Sequence, residues 1–268
     1  EGEEVPAIIG WMAAQSGPPP TEPLSGPFAL WHPMYHESGM KRPKGGSGML
    51  TQALAKMIED HGGTIVTSSP ADKILVENGR AVGVEFTNVE SGITQSALAK
   101  TVVSAAHVHT TMKLLGEDNM PQPQRNLLKN SRIGNGFGMI LRCAMDELPN
   151  YTATETPRGM AGEEHTAMQF ICPSLDYLDA SFGDYLAKRP STNPALIAMT
   201  FSTTDPTLAP EGKHTMFVWG QYYPYELASK ENWDQIAERE AEKMLNTLGG
   251  YAPNRSEEHT SELQSRSD

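Results

Sequence analysis

The chain has 268 residues, of which 38% are hydrophobic and 20% charged, and its formal net charge at pH 7 is −12. This length is ample for a hydrophobic core, and the acidic balance without a run of Lys and Arg argues against nucleic acid as a partner. No apolar run approaches the roughly 20 residues that span a bilayer, so we predict no transmembrane segment. Peripheral contact with a membrane and the oligomeric state stay open.

The cysteines and the first residues bear on the compartment. Cys143 and Cys172 lie in apolar surroundings, which favours buried free thiols over a disulfide, and their spacing fits no metal or redox motif. No basic segment followed by an apolar one opens the chain as a secretion signal would, but the first residue is Glu1 and not Met, so a targeting signal upstream of it stays open. We expect a cytoplasmic protein, or one of the mitochondrial matrix if the source is eukaryotic.

The two ends show little periodicity. Residues 1–43 contain prolines that exclude helix interiors at positions 18, 19, 20, 23, 27 and 33, and a short apolar run at 28–31 supplies aromatic side chains. Residues 255–268 carry no apolar period and resemble the translation of a common sequencing adapter, although a natural polar terminus is the alternative. We therefore expect a truncated reading frame and leave this tail out of the fold.

A Gly-Gly-Ser-Gly segment at residues 45–48, called the glycine loop, precedes the clearest helical signal. Apolar residues recur at helical spacing from about 49 to 61 and predict one apolar face, namely Leu50, Ala53, Leu54, Met57 and Ile58. Gly62 and Gly63 end this helix, where a left-handed residue is favoured. Residues 64–66 (Thr-Ile-Val) then predict a short buried strand.

Alternating apolar residues predict a meander after this helix. Two such runs, at 74–76 and 82–86, flank Asn78-Gly79, the sequence typical of a type I′ hairpin turn. A second turn at 90–92 leads to a third strand around 93–96. The continuous run at 101–106 (Thr-Val-Val-Ser-Ala-Ala) is typical of a strand covered on both faces.

The second half of the chain predicts further strands at 137–145, 195–201 and 215–219 and one long helix. Asn232, with Gln235 three residues later, has capping-box spacing and opens that helix. Its predicted face is Trp233, Ile236, Ala237, Met244, Leu245 and Leu248. The fold class is α+β, with a three-stranded meander and a mixed or antiparallel second sheet.

The glycine loop fails the tests for a nucleotide fingerprint. A polar segment precedes it and Thr51 stands where a third glycine is required, while Lys44 precedes the cluster instead of following it. What remains is a helix N-terminus with accessible N–H groups, suited to an electron-rich ligand edge.

We predict no metal site, because Pro33 breaks any helix that would pair His32 with His36 and no carboxylate or Cys stands at ligand spacing. The paired Glu163 and Glu164 suggest solvated surface.

The order of glycine loop, helix, strand, meander and apolar strand resembles the middle flavin-domain segment of the amine-oxidase and phytoene-desaturase superfamily. Within it, the resemblance is to the group called pyridine nucleotide-disulphide oxidoreductase domain-containing protein 2. Besides the glycine loop with residues 52–55, it is carried by residues 205–210 (Asp-Pro-Thr-Leu-Ala-Pro), 221–225 (Gln-Tyr-Tyr-Pro-Tyr) and Trp233. It implies a substrate or cap segment at 1–43, the middle of an FAD-binding domain at 44–112 and a substrate domain at 113–254.

This resemblance implies roles for particular residues. Cofactor-binding positions would be Ala71, where the family often has valine, and Ser104 and Ala105 at the end of the apolar strand. Substrate-binding positions would be Gly46, Ser47 and Gly48 near the flavin ring, with Gln221 and Tyr223 in the cavity wall. No catalytic residue is assigned.

The implied function is that of a fragment of an FAD-dependent oxidoreductase, a dehydrogenase, desaturase or isomerase that takes a hydride from an apolar or amphipathic small molecule. We expect the fragment itself to be inactive and to bind FAD poorly, because the helix N-terminus that holds the pyrophosphate is missing from it. The alternatives are a non-catalytic interaction protein that resembles a mitochondrial regulator, and a lipid-binding module.

Overall fold

The computed structural model describes residues 2–14, 26–30, 34, 37, 39, 41–131, 134–136 and 138–254. These residues fall into two compact units: the sheet unit, drawn from Glu1–Leu50 and Gly134–Asp268, and the meander unit, drawn from Thr51–Ile133. The adapter-like tail, His32 and His36 lie outside the described residues. In the described part of the chain, no helix is both long and apolar enough to cross a membrane.

The meander unit contains most of the first predicted helix and the predicted hairpin. Helix α3 (Gly48–Asp60) leads to strands β1 (Ala71–Glu77), β2 (Arg80–Thr87) and β3 (Thr94–Leu98), which form an antiparallel sheet in that order. Between β1 and β2, Asn78 and Gly79 have φ angles of 48° and 75°, so the predicted type I′ turn is confirmed. Helices α4 (Val108–Leu115) and α5 (Gln122–Asn130) complete this unit, and the apolar periodicity predicts neither.

Two strand predictions in this unit are wrong. Residues 64–66 and 101–106 have no strand structure, and Ile65, Val66 and Val103 are exposed. A strand requires a neighbour for its backbone groups, and neither segment pairs with another in the described residues. The apolar face of α3 is likewise exposed, with no buried residue in the helix. The apolar pattern of these segments therefore does not correspond to burial in the described structure.

The sheet unit is built on an antiparallel sheet with strand order β4-β7-β6-β5. Its strands are β4 (Gly138–Met145), β5 (Gln169–Ile171), β6 (Leu196–Met199) and β7 (His214–Gln221), and its larger helices are α1 (Glu4–Ala14), α6 (Leu175–Leu186) and α7 (Trp233–Gly249). Helix α2 (Gly26–Ala29) is a single turn. Of these elements the sequence predicts β4, β6, β7 and α7, and it misses α6 and β5. The sheet is antiparallel, one of the two forms that the sequence analysis left open.

Helix α7 covers one face of this sheet. Asn232 and Gln235 form the predicted capping box, with Gln235 N–H donating to Asn232 Oδ1 at 3.1 Å and Asn232 N–H donating to Gln235 Oε1 at 2.9 Å. The buried residues of α7, among them Met244 and Leu248, pack with Leu141, Val218 and other residues of β4, β6 and β7.

The opposite face of the sheet is covered over only part of its width. Trp11 of α1 and Leu178 of α6 pack with Ile197 of β6 in a second core. Because side chains alternate along a strand, Arg142 of β4 and Phe217 of β7 also point to this second face, where Arg142 is exposed and Phe217 half-buried. This part of the second face is where the candidate site lies.

Candidate functional site

The glycine loop is held in place by a carboxylate that lies 160 positions later in the chain. Gly45 and Gly46 have φ angles of 85° and 94°, the left-handed region that favours glycine. The Gly45 backbone N–H donates to Asp205 Oδ2 at 2.7 Å. A Cβ atom on Gly46 would lie 3.3 Å from Leu208 Cδ2, so the loop backbone also packs closely on the segment that follows Asp205.

Asp205 opens the 3-10 helix Pro206–Leu208 and accepts three hydrogen bonds. Besides the Gly45 bond, its Oδ1 accepts from the Thr207 backbone N–H at 3.2 Å and from the Thr207 hydroxyl at 2.6 Å. The hydrogen bonds from the Thr207 hydroxyl and the Gly45 N–H hold the pKa of Asp205 below its ordinary value. Two motifs that the sequence analysis singled out separately, the glycine loop and the Asp-Pro-Thr-Leu segment, are therefore one structural element.

Two arginines and two phenylalanines lie next to this element. The rings of Phe201 and Phe217 have centroids 6.2 Å apart. The Arg42 guanidinium carbon lies 3.5 Å from the Phe201 centroid, and that of Arg142 lies 5.8 Å from the Phe217 centroid. Both distances fall within the range of cation–π contact. We call this group the Arg–Phe–Phe–Arg cluster.

The cluster and the glycine loop surround a cavity of about 400 Å³ in the sheet unit, large enough for a small organic ligand. The sheet floor comes from β4 and β7, and the rest of the wall comes from the loop and the 3-10 helices Phe201–Thr203 and Pro206–Leu208. Its lining residues are Arg42, Gly46, Ser47, Arg142, Cys143, Ala144, Phe201, Leu208, Thr215, Met216 and Phe217. We call it the sheet cavity.

Of the predicted substrate-binding residues, the structure brings Gly46 and Ser47 to this cavity. Gly48 begins α3 and is not among the lining residues. Gln221 and Tyr223 lie in the core and do not line it either. A role for Gly48, Gln221 or Tyr223 in binding substrate therefore stays a prediction.

The surroundings of Gln221 and Tyr223 are structural. Gln221 is fully buried, and its Nε2–H donates to the Ala14 carbonyl at the end of α1, at 2.9 Å. Tyr223 packs its ring 6.0 Å from that of Trp233, and burial raises its pKa far above the ordinary value. The Tyr223 phenol is therefore neutral over the physiological pH range.

The predicted cofactor residues lie in the meander unit. Ala71 is the first residue of β1 and pairs with Phe86, while Ser104 and Ala105 follow β3 outside any strand. All three are exposed, and the Ser104 hydroxyl lies 2.7 Å from that of Thr111. Their exposure leaves these residues accessible to a large cofactor, so the described surroundings are compatible with the predicted contacts.

The important residues that the sequence analysis missed are Arg42, Arg142, Phe201 and Phe217. The sequence does contain a signal for Arg142, because it is a charged residue within an apolar strand. Since side chains alternate along a strand, Arg142 lies on the other face of the sheet from the core residues Leu141 and Cys143. No sequence signal pairs Arg42 with Phe201, which lies 159 positions away.

Three other sequence predictions concern the cysteines, the paired glutamates and a metal site. Cys143 and Cys172 are buried thiols that form no disulfide, as predicted, and burial raises the pKa of Cys172 to about 11. Glu163 is exposed, as predicted for the Glu163–Glu164 pair, whereas Glu164 is partly buried and accepts a hydrogen bond from Thr154, which corrects the prediction for that residue. Among the described residues, no group of three or more His, Cys, Asp and Glu side chains is arranged to hold a metal ion.

Comparisons with known proteins place these features in a family. The family described as "Flavin containing amine oxidoreductase" matches residues 11–264. Pyridine nucleotide-disulfide oxidoreductase domain-containing protein 2 of Rattus norvegicus is 29% identical over 256 residues, covering 92% of this chain and 42% of that protein. The neurosporene-forming phytoene desaturase of Cereibacter sphaeroides is 28% identical over 229 residues, covering 84% and 40%.

A solved structure supports the same fold. An oxidoreductase from Methanosarcina mazei superposes with a TM-score of 0.63 and 22% sequence identity, covering 96% of this chain and 50% of that one. The chain spans about half the length, or less, of the relatives that it matches.

Proposed function

Because the chain belongs to the family of flavin-containing amine oxidoreductases, we propose that it forms the substrate-binding part of an FAD-dependent enzyme that takes a hydride from an apolar or amphipathic small molecule. The observation that carries this proposal is the sheet cavity, with a volume of about 400 Å³ and walls that combine aromatic, aliphatic and cationic side chains. Pockets of this size and mixed lining are typical of sites for small organic ligands.

The glycine loop supports this role by its backbone. Leu208 lies 3.3 Å from the place a Cβ atom would take on Gly46, so a side chain there would displace Leu208 from its present contact. The bond from Gly45 to Asp205 fixes the loop, so Gly46 and Ser47 form a wall of constant shape. A pre-formed wall lowers the entropic cost of orienting a substrate.

FAD is the cofactor of this family, and its isoalloxazine supplies the hydride acceptor when it is bound. We propose Ala71, Ser104 and Ala105 as contacts to it, since all three are exposed in the meander unit. The contribution of the sheet unit in this proposal is to hold the substrate and exclude water.

The test uses the complete protein with added FAD. We expect FAD to remain bound through gel filtration, as seen from its visible absorbance. We also expect that absorbance to decrease under anaerobic conditions when phytoene in micelles or decanol is added. A Gly46→Val variant, which adds a side chain to the cavity wall next to Leu208, should retain FAD and lose the decrease.

Protein that does not retain FAD would contradict the proposal. In that case binding of phytoene by the colourless protein would favour the lipid-binding module, and no binding of any small molecule would favour the interaction protein.

A further inference from the structure

We infer that the sheet cavity binds a molecule with an anionic oxygen head group, a carboxylate or a phosphate, through Arg42 and Arg142. The inference rests on the proposed function in one respect, namely that the molecule bound in the cavity is the substrate of the enzyme. Binding itself can be measured without flavin.

The first argument is the arrangement of the two guanidinium groups. The Arg42 guanidinium carbon lies over the Phe201 ring, 3.5 Å from its centroid, and that of Arg142 lies over the Phe217 ring at 5.8 Å, and the two ring centroids are 6.2 Å apart. A guanidinium that stacks by its face keeps its N–H groups at the edge free to donate, and this planar fork matches a carboxylate or phosphate. The cluster therefore holds two such donors at one cavity.

The second argument is the charge balance of the cavity. Its lining contains two arginines and no Asp or Glu. Within the described part of the chain, neither Arg42 nor Arg142 forms an ion pair, whereas Arg158, Arg189 and Arg239 each do. Asp205 is close in the fold, but its single negative charge interacts with Lys44, so the two arginine charges remain in excess. Two unpaired positive charges in a chain of net charge −12 indicate a place for an anion.

The third argument concerns the rest of the ligand. Phe201, Phe217 and Leu208 give the cavity apolar surface beside the arginines. Such a lining favours an amphipathic molecule, with the head group on the arginines and the apolar part against the rings and the loop. It also disfavours an amine, because an ammonium group would meet two guanidinium charges of its own sign.

The experiment measures binding to the 268-residue chain by isothermal titration calorimetry, with four probes that share one alkyl chain: decanoate, decyl phosphate, decanol and decylamine. We expect decanoate or decyl phosphate to bind at least about tenfold more tightly than decanol, as for charge-assisted hydrogen bonds, and decylamine to bind most weakly. The order of the two anions tells a carboxylate site from a phosphate site.

Two variants test the arginines. The double variant Arg42→Gln, Arg142→Gln should bind decanoate and decanol equally, and Arg42→Lys, Arg142→Lys should keep part of the preference for the anion. The matched control Arg80→Gln, Lys100→Gln removes the same charge from exposed positions of the meander unit and should behave as the original chain does. Circular dichroism and urea unfolding show whether each variant is folded.

Equal affinity for decanoate and decanol in the original chain overturns the inference, as does an undiminished preference for the anion in the double glutamine variant. Since no flavin is present, a failure of FAD binding in the complete protein leaves this result unaffected. The proposed function and the anion site can therefore fail independently.

Discussion

Replacing Gln221 with leucine distinguishes its predicted place in a cavity wall from its observed place in the core. Ala14 is fully buried at the end of α1, where the last carbonyl groups of a helix have no partner within the helix. Gln221 Nε2–H supplies the hydrogen bond to the Ala14 carbonyl, at 2.9 Å. Leucine has a similar size but no donor, so the variant leaves the buried Ala14 carbonyl without a partner among the described residues, which costs about 1–3 kcal/mol. The same change removes Gln221 Oε1, a buried acceptor without a hydrogen bond in the described part of the chain, so we expect a loss toward the lower end of that range.

The assay is urea unfolding of the 268-residue chain, followed by circular dichroism. We expect the free energy of unfolding of Gln221→Leu to fall by about 1–3 kcal/mol, while decanoate binding at a temperature where the variant is folded stays unchanged. Gln95→Leu is the control, since Gln95 is exposed on β3 and the same substitution there should change stability by no more than about 0.5 kcal/mol. Unchanged stability together with weakened decanoate binding would refute the structural role and favour the cavity wall.

Three further results are expected. Asp205→Ala should speed hydrogen exchange of the Gly45 amide, measured by NMR, because the only acceptor described for that N–H is lost. Unchanged exchange would show that the hydrogen bond to Asp205 does not hold the glycine loop. Burial and the nearby His165 lower the pKa of His214, so the unfolded state takes up a proton more readily and stability should fall as the pH drops below about 6.5. His214→Gln should reduce that fall in urea unfolding at pH 8 and 5.5, and an identical fall would exclude His214 as its source. Leu54→Glu should leave stability within about 0.5 kcal/mol, since Leu54 is 49% exposed on α3; a larger loss would show that this face is covered.

Local signals in the sequence predict much of the secondary structure. The Asn78-Gly79 turn and the Asn232 capping box are confirmed because each depends on interactions within a few residues. Strands β4 and β7 are also local features, since apolar side chains at every second position face α7 in each of them. Such features need no knowledge of distant parts of the chain.

The failures occur where burial depends on distant partners. Residues 101–106 have the composition of a buried strand, yet the described residues supply neither a neighbouring strand nor a covering layer. Conversely, Glu240 is 1% exposed in the middle of α7, where the apolar pattern gives no reason to bury a carboxylate. Its charge is balanced by Lys243 and Arg239 on the same helix. Composition alone predicts neither outcome.

The glycine loop shows how a tertiary contact changes the chemistry expected of a motif. From the sequence, its backbone N–H groups are available to an electron-rich ligand. In the structure the Gly45 N–H is already bonded to Asp205, a carboxylate of the chain itself. A negative charge at that position would repel a second anion, so the loop is better suited to shape the cavity than to bind charge. The groups left to recognise an anion are Arg42 and Arg142, which come from separate segments and line the cavity beside Phe201 and Phe217.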